Sequence, residues 1–322
     1  DGFTLGSNLD TNLTTHTYVG WCWKGGTPEN YISPSGSVSF DGTDDYLDVS
    51  DNDDFDFDGD FTVEFYIYFD TVNSRNEIIG SGNNSVYLGA NKSGWIASYY
   101  TLGGSKWHFS YQSNQSWIFE HTFAFDSEAG KWYHVAFTRS GSDIRCFVDG
   151  VQQGSTQTSS ATLTSSEGLV RVGGGGGSTS LLLNGSLSNV RIVKGTALYT
   201  SNFTPPTEPL TNVTNTKLLC CQSATSASAA TVAPGSITAN GGAYARDYNP
   251  FDMYRVDGRV YATAAEAGLN GGTITPTGAS VNTESGFSII TYTGNANTGE
   301  TFSHGLSSTP KMYVIKDRDS VS

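Results

Sequence analysis

Positive charge is scarce in this chain. Against 31 Asp+Glu stand only 17 Lys+Arg among 322 residues, a formal net charge of −14. Binding a phosphate backbone takes clustered cations, so no nucleic-acid partner is expected. Cysteine is almost missing as well. Cys22, Cys146, Cys220 and Cys221 form no disulfide framework, because two are adjacent, and none has Cys-x-x-Cys or Cys/His ligand spacing. They read as buried thiols. No apolar run reaches the ~18 residues of a membrane helix, so no membrane insertion is expected. A charged-then-apolar leader is also lacking. The start at Asp1, without an initiator Met, reads as a processed product or a fragment of something longer.

What the chain does contain is 38 Gly, long Ser/Thr/Asn runs and only 15% charged residues, the composition of a turn-rich, all-β secreted or virion protein. The period-2 signal is clearest at 61–69, where Phe61, Val63, Phe65, Ile67 and Phe69 share one face and Thr62, Glu64, Tyr66 and Tyr68 the other. This pattern predicts a half-buried antiparallel strand. Further strands are expected at 85–88, 95–100, 107–111, 117–125, 131–139, 144–148, 151–154, 169–172, 187–193 and 217–221. Asp149-Gly150 predicts a type I′ hairpin. Roughly ten short strands with regular turns argue for a sandwich or barrel. Residues 223–230 are only Ser, Ala and Thr and read as a linker. Beyond it, a helical turn is expected at 262–268, stopped by Gly268, with strands at 286–293 and 311–315.

Several motifs follow one another in a recognisable order: Val38–Leu47, Phe61–Phe65, Trp132–Arg139 leading into Phe147–Gly150, and Gly185–Ile192. As an ordered set they resemble the laminin-G / concanavalin-A-like superfamily, in particular its phage-encoded branch. The resemblance covers about residues 26–222. It implies an all-β, antiparallel jelly-roll β-sandwich whose members bind sugars or proteins, often with calcium. Gly195–Pro206 resembles a closing segment of marine-phage structural proteins, expected to strap over the sandwich because its two prolines cannot join a ladder. Residues 285–320 and 1–26 resemble the start and the end of a module of phage tail and virion proteins. The implied layout is 1–26 as the end of one β-rich module, 27–222 as the sandwich, 223–236 as linker, and 237–322 as a second β-rich module. The flanks together would make a smaller β-rich unit.

Two constellations stand out. Between Asp41 and Asp60 there are ten Asp and no Lys or Arg. Calcium takes six to eight oxygens, and Asp51, Asp53 and Asp54 are the best local ligands, although the EF-hand Gly and Glu are missing. The alternative is a solvated acidic edge. Tyr99, Tyr100, Trp107, Tyr111 and Trp117 lie among amides such as Asn114. That mixture suits a neutral polyol, whereas large aromatics otherwise fill cores. Catalytic signals are poor. The paired carboxylates of glycosidases with this fold are absent, no His sits in a triad signature, and Gly173–Gly177 has no following Lys, so it reads as a flexible sheet-edge loop.

The expectation is therefore a non-enzymatic virion-surface protein, a tail fibre or appendage whose sandwich adheres to a cell-surface glycan. Other virion proteins are expected partners, and a homo-oligomer, with a trimer as the guess. A capsid-decoration or shaft protein without a receptor is the alternative, and a polysaccharide depolymerase a third.

Overall fold

The computed structural model describes residues 35–315 apart from 51, 82–92, 115, 166–168, 176–180, 252–253, 258, 262, 266 and 295–296. The module end expected at 1–26, Cys22 and the strand expected at 85–88 lie outside the described residues. The strands are β1 (Ser37–Asp41), β2 (Tyr46–Val49), β3 (Phe61–Phe69), β4 (Arg75–Ser81), β5 (Ser93–Tyr100), β6 (Lys106–Ser113) and β7 (Ser116–Ala124). They continue with β8 (Trp132–Ser140), β9 (Asp143–Val148), β10 (Val151–Thr158), β11 (Val170–Val172), β12 (Asn184–Lys194) and β13 (Thr216–Cys220). The last are β14 (Ala230–Val232), β15 (Ile237–Asn240), β16 (Tyr244–Arg246), β17 (Tyr254–Val256), β18 (Arg259–Tyr261), β19 (Gly278–Asn282) and β20 (Phe287–Thr291).

Two antiparallel sheets face each other. The first runs β10-β9-β8-β3-β12-β1-β16, with β13 joined to β12 and β14 to β13; the second runs β15-β2-β11-β4-β5-β6-β7. The core between them is aromatic: Phe61, Phe65 and Phe69 of β3 meet Trp95, Tyr99, Trp107 and Phe109 of the opposite sheet. Trp95 satisfies its indole by donating to the Phe55 carbonyl at 2.9 Å. Asp149 and Gly150 have φ of 47° and 76°, the conformation of the expected hairpin turn. Cys146, Cys220 and Cys221 are buried free thiols.

The outer face of β3 differs from the half-buried strand that alternation predicts. Thr62 and Glu64 are fully buried and Tyr66 nearly so, because the segment 195–211 crosses over them. Glu64 accepts from Arg191 Nε at 2.8 Å and Tyr199 OH at 3.0 Å, and its other close partner is His134 Nε2 at 3.1 Å. Leu198 N donates to Thr62 Oγ1, Thr62 Oγ1 to the Thr196 carbonyl, and Tyr66 OH to the Pro206 carbonyl. Tyr199 and Phe203 stack at 3.6 Å beside His134. The strap is thus pinned by a buried carboxylate. Burial would raise the Glu64 pKa, but the His134 hydrogen bond and the charges of His134 and Arg191 outweigh it and hold it low.

The segment 223–236 is no free linker, because β14 within it pairs with β13. Beyond it, β15 extends the second sheet through β2 and β16 extends the first through β1. These strands are recruited because the edges of β1 and β2 carry unpaired backbone groups that need partners. Gly36 N donates to the Gln222 carbonyl at 2.6 Å, which brings the start and the end of the sandwich together. The remaining tail forms a small sheet, β18-β17-β19-β20, with a parallel β17–β19 pair and its own cluster of Tyr254, Ala264, Leu269 and Val281. Residues 311–315, expected as a strand, form none and are exposed, since their apolar side chains have no facing surface to cover.

Trp107 is fully buried and packs on Phe65, Phe69 and Tyr99, while its indole N–H has no hydrogen-bond partner. Trp107→Ala should cost about 3–5 kcal/mol of stability. Trp107→Phe should cost much less, because no hydrogen bond is lost. Chemical denaturation of the three proteins measures the difference.

Candidate functional site: the outer face of the second sheet

Cross-strand register places the side chains that leave the core of β4–β7 in four rows. Arg75, Tyr100, Lys106 and Ala124 form the first; Glu77, Ser98, His108 and Thr122 the second. Gly80, Ile96, Ser110 and Glu120 form the third, and Gly94, Gln112 and Trp117 the last. A bulge between Tyr111 and Gln112 turns both Trp117 and Ile118 to solvent, at 40% and 49% exposure. From Lys106 to Gln112 the face extends ~20 Å.

The six aromatic and amide candidates are therefore split. Tyr99, Trp107 and Tyr111 point into the core, so they cannot form a binding platform. Their odd-numbered positions alternate with the outward Tyr100, His108 and Gln112. Asn114 holds a φ of 49° at the β6–β7 turn, a conformation Asn tolerates better than most residues. Tyr100 and Trp117 reach the surface at opposite ends of the face. Sequence reasoning missed Glu77, Ser98, His108 and Glu120, which lie between them; the only available signal was the period-2 alternation that puts them opposite the core aromatics.

This face is electrostatically dense. Arg75 Nη2 donates to Glu77 Oε1 at 2.8 Å, and the Arg75 guanidinium lies 4.7 Å from the Tyr100 ring centre. Arg171 makes a two-bond contact with Asp48 and lies 3.7 Å over the Tyr46 ring. Burial pushes the Glu77 carboxyl up to about 7, opposed by Arg75, the Gly175 backbone and Arg171. Burial, with Lys106 and Arg75 nearby, drops His108 to about 3. Its imidazole is therefore neutral, and the 3.3 Å approach of Nδ1 to Glu120 Oε1 is no ion pair.

Of the edge loop expected at Gly173–Gly177, Gly176 and Gly177 lie outside the described residues, and Gly173–Gly175 do not sit at a sheet edge. They continue β11, which lies inside the sheet between β2 and β4. Any Cβ on Gly173 would strike the Phe40 ring at 2.5 Å, and one on Gly175 the Glu77 carboxylate at 2.1 Å. Close approach explains these glycines.

Of the three calcium ligands expected in the acidic run, two can be placed. Asp51 lies outside the described residues. Asp53 and Asp54 belong to a single 3₁₀ turn, Asp53–Phe55, and the Asp54 carboxylate is paired with Lys217 at 2.8 Å. Lys194 Nζ donates to the Asp53 carbonyl. Among the described residues, Asp41, Asp44 and Asp45 do bring carboxylate oxygens within 4.8 Å of one another. However, Asp41 accepts from the Thr43 and Asp44 amides, and Asp45 from those of Asp41 and Gly242. The cluster is a turn that also docks β16's leading loop. A shallow groove of about 360 Å³ beside Arg191 and 206–211 offers no free cation, since Arg191 is held by Glu64 and the Thr211 carbonyl. Among the described residues no helix is long and apolar enough to cross a membrane.

Two facing antiparallel sheets over one aromatic core make a jelly-roll β-sandwich. Residues 41–198 match the family model of the Concanavalin A-like lectin/glucanases superfamily, and the fold is a jelly-roll β-sandwich of the concanavalin-A-like type. Residues 211–322 match a domain of unknown function (DUF7483). That second match begins before β13, so its first strands complete the sheets of the first. No curated protein matches the sequence. Among solved structures, a SAP-like pentraxin from Limulus polyphemus is similar at 22% identity, over 52% of this chain and 80% of that one, with TM-score 0.39. A putative carbohydrate binding protein from Bacteroides ovatus shares 15% identity over 67% and 60%, TM-score 0.47. Mouse laminin alpha1 domains LG4-5 share 13% over 64% and 51%, TM-score 0.35.

The Glu77 carboxyl sets a pH dependence. Its folded pKa of about 7 lies above the ordinary 4.5, so the folded state keeps a proton that the unfolded chain has released. Stability should fall as pH rises from about 4.5 to about 7, by roughly 3 kcal/mol if the whole span is expressed. Glu77→Gln should flatten that slope in pH-dependent denaturation.

Proposed function

We propose that the chain is a non-catalytic adhesion protein whose sandwich binds a neutral or weakly acidic glycan on the outer face of β5–β7. The observation that carries this reading is the combination of Tyr100 and the exposed Trp117 with the exposed polar residues Glu120 and Thr122 of β7, on a concanavalin-A-like sandwich. A flat ring desolvates the apolar face of a sugar, and hydroxyls meet the neighbouring polar groups. A net charge of −14 disfavours strongly anionic polymers. The segments resembling phage tail and virion modules support a place on a virion surface, as a tail fibre or appendage, working outside the cell as a homotrimer beside other virion proteins. Among the described residues, the carboxylates of this face, Glu77 of β4 and Glu120 of β7, are separated by two strands and do not face each other as a pair, which supports the non-catalytic assignment.

A second reading is a decoration or shaft protein without a receptor. The burial of Tyr99, Trp107 and Tyr111 favours it, because it removes half of the expected platform.

A glycan array with the full chain separates the two. Retained binding that falls tenfold or more in Trp117→Ala, about 1.4 kcal/mol, with unchanged far-UV circular dichroism, supports adhesion. If no glycan is retained, the decoration reading stands instead.

A further inference from the structure

The stretch that follows the tail sheet is the most exposed apolar run among the described residues. Met312, Tyr313, Val314 and Ile315 are 48%, 81%, 83% and 64% exposed, although an unbroken apolar run of this length suits a strand covered on both faces. Upstream the chain is anchored. Ile274 N donates to the Thr301 carbonyl at 2.8 Å, and Leu306 packs on the cluster that holds Leu269 and Val281. Beyond that anchor the run finds no facing surface on its own copy. The same sheet carries a second exposed apolar element. β20 is its last strand, and Ile290 turns toward the cluster, opposite Ala279 of β19. Alternation therefore turns Phe287 and Ile289 to the other face, where they are 39% and 56% exposed. An apolar strand at a sheet edge is a template for pairing with another chain.

We propose that residues 311–315 of a second copy of this chain add as a fifth strand to the outer edge of β20. The inference rests on the homo-oligomer of the proposed function and supplies its contact. An antiparallel register with Lys311 opposite Thr291 sets Tyr313 beside Ile289 and Ile315 beside Phe287, covering both. Met312 and Val314 then fall beside Ile290 and Ser288, on the face of the Tyr254, Ala264, Leu269 and Val281 cluster. The register uses apolar side chains on both faces, and the run supplies them on both. Charge agrees with it. Lys316 comes next in the sequence and would meet the β19–β20 turn, where Glu284 is exposed and the exposed Asp257 accepts from Thr283. Area agrees too. Four such side chains expose several hundred Å², more than a monomer commonly leaves in one patch. Each copy would give one run and one receiving strand, on the order of the ~800 Å² per partner of a stable interface. Passed head to tail from copy to copy, the contact is heterologous and closes as a ring, which a trimer requires.

Sedimentation velocity of the full chain and of Val314→Asp tests the contact. Val314 is exposed in the single copy, so the variant should keep the wild-type Tm while its self-association weakens at least tenfold. Ile289→Cys chains mixed with Tyr313→Cys chains should cross-link on mild oxidation, with the 289–313 bond identified by peptide mapping, whereas neither variant alone forms that bond. If Val314→Asp associates as tightly as the wild type, or the mixture gives no 289–313 bond, this contact is overturned and the homo-oligomer must use another surface. If a chain carrying both cysteines closes the bond within itself and sediments as a monomer, the run docks on its own copy and the proposal fails. A wild type that is monomeric throughout overturns the homo-oligomer as well, while the glycan array decides the adhesion reading separately.

Discussion

The buried carboxylate of Glu64 is the constraint on which the rest of the sandwich depends. β3 is the central strand of the first sheet, and a fully buried anion there would be untenable alone. It persists because Arg191 from the neighbouring β12 and Tyr199 from the strap donate to it, with His134 of β8 in contact. One side chain therefore ties two flanking strands and the 195–211 crossing to the middle of the sheet. With the outer face of β3 closed in this way, the first sheet has no exposed platform at its centre.

The proposed ligand contact is assigned to the second sheet for that reason. Its outer face carries charge and hydroxyls in register, and its edge strand β7 turns Trp117 and Ile118 outward through a bulge. Bulges near sheet edges commonly re-aim side chains at functional surfaces. The same face holds the least comfortable groups of the fold, a carboxyl raised to about 7 and an imidazole lowered to about 3. Perturbed groups of this kind concentrate where function is traded against stability.

The two family matches do not correspond to two separately closed cores. β13 to β16 lie in the second match, yet they pair with β12, β2 and β1. Asn249 donates to the Ser35 carbonyl and Phe251 packs edge-on against Tyr66. Only from β17 onward does the tail have a cluster of its own. The sandwich and the segment that follows are thus welded through sheet edges, which limits how far the two matched regions could move apart.

Local pattern in the sequence was enough for most strands, the Asp149-Gly150 hairpin, the strap and the sandwich class, because period-2 alternation and turn chemistry are written in neighbouring residues. What alternation alone could not decide is which face of a sheet meets another layer. Both faces of β3 are covered, so Glu64 and Tyr66 are inside; Trp107 packs on Phe65 and Phe69 of that distant strand. Nor could the acidic run reveal that Asp54 meets Lys217, or the linker that it would be drafted into a sheet. Those outcomes depend on contacts between residues far apart in the chain, and only the tertiary structure brings them together.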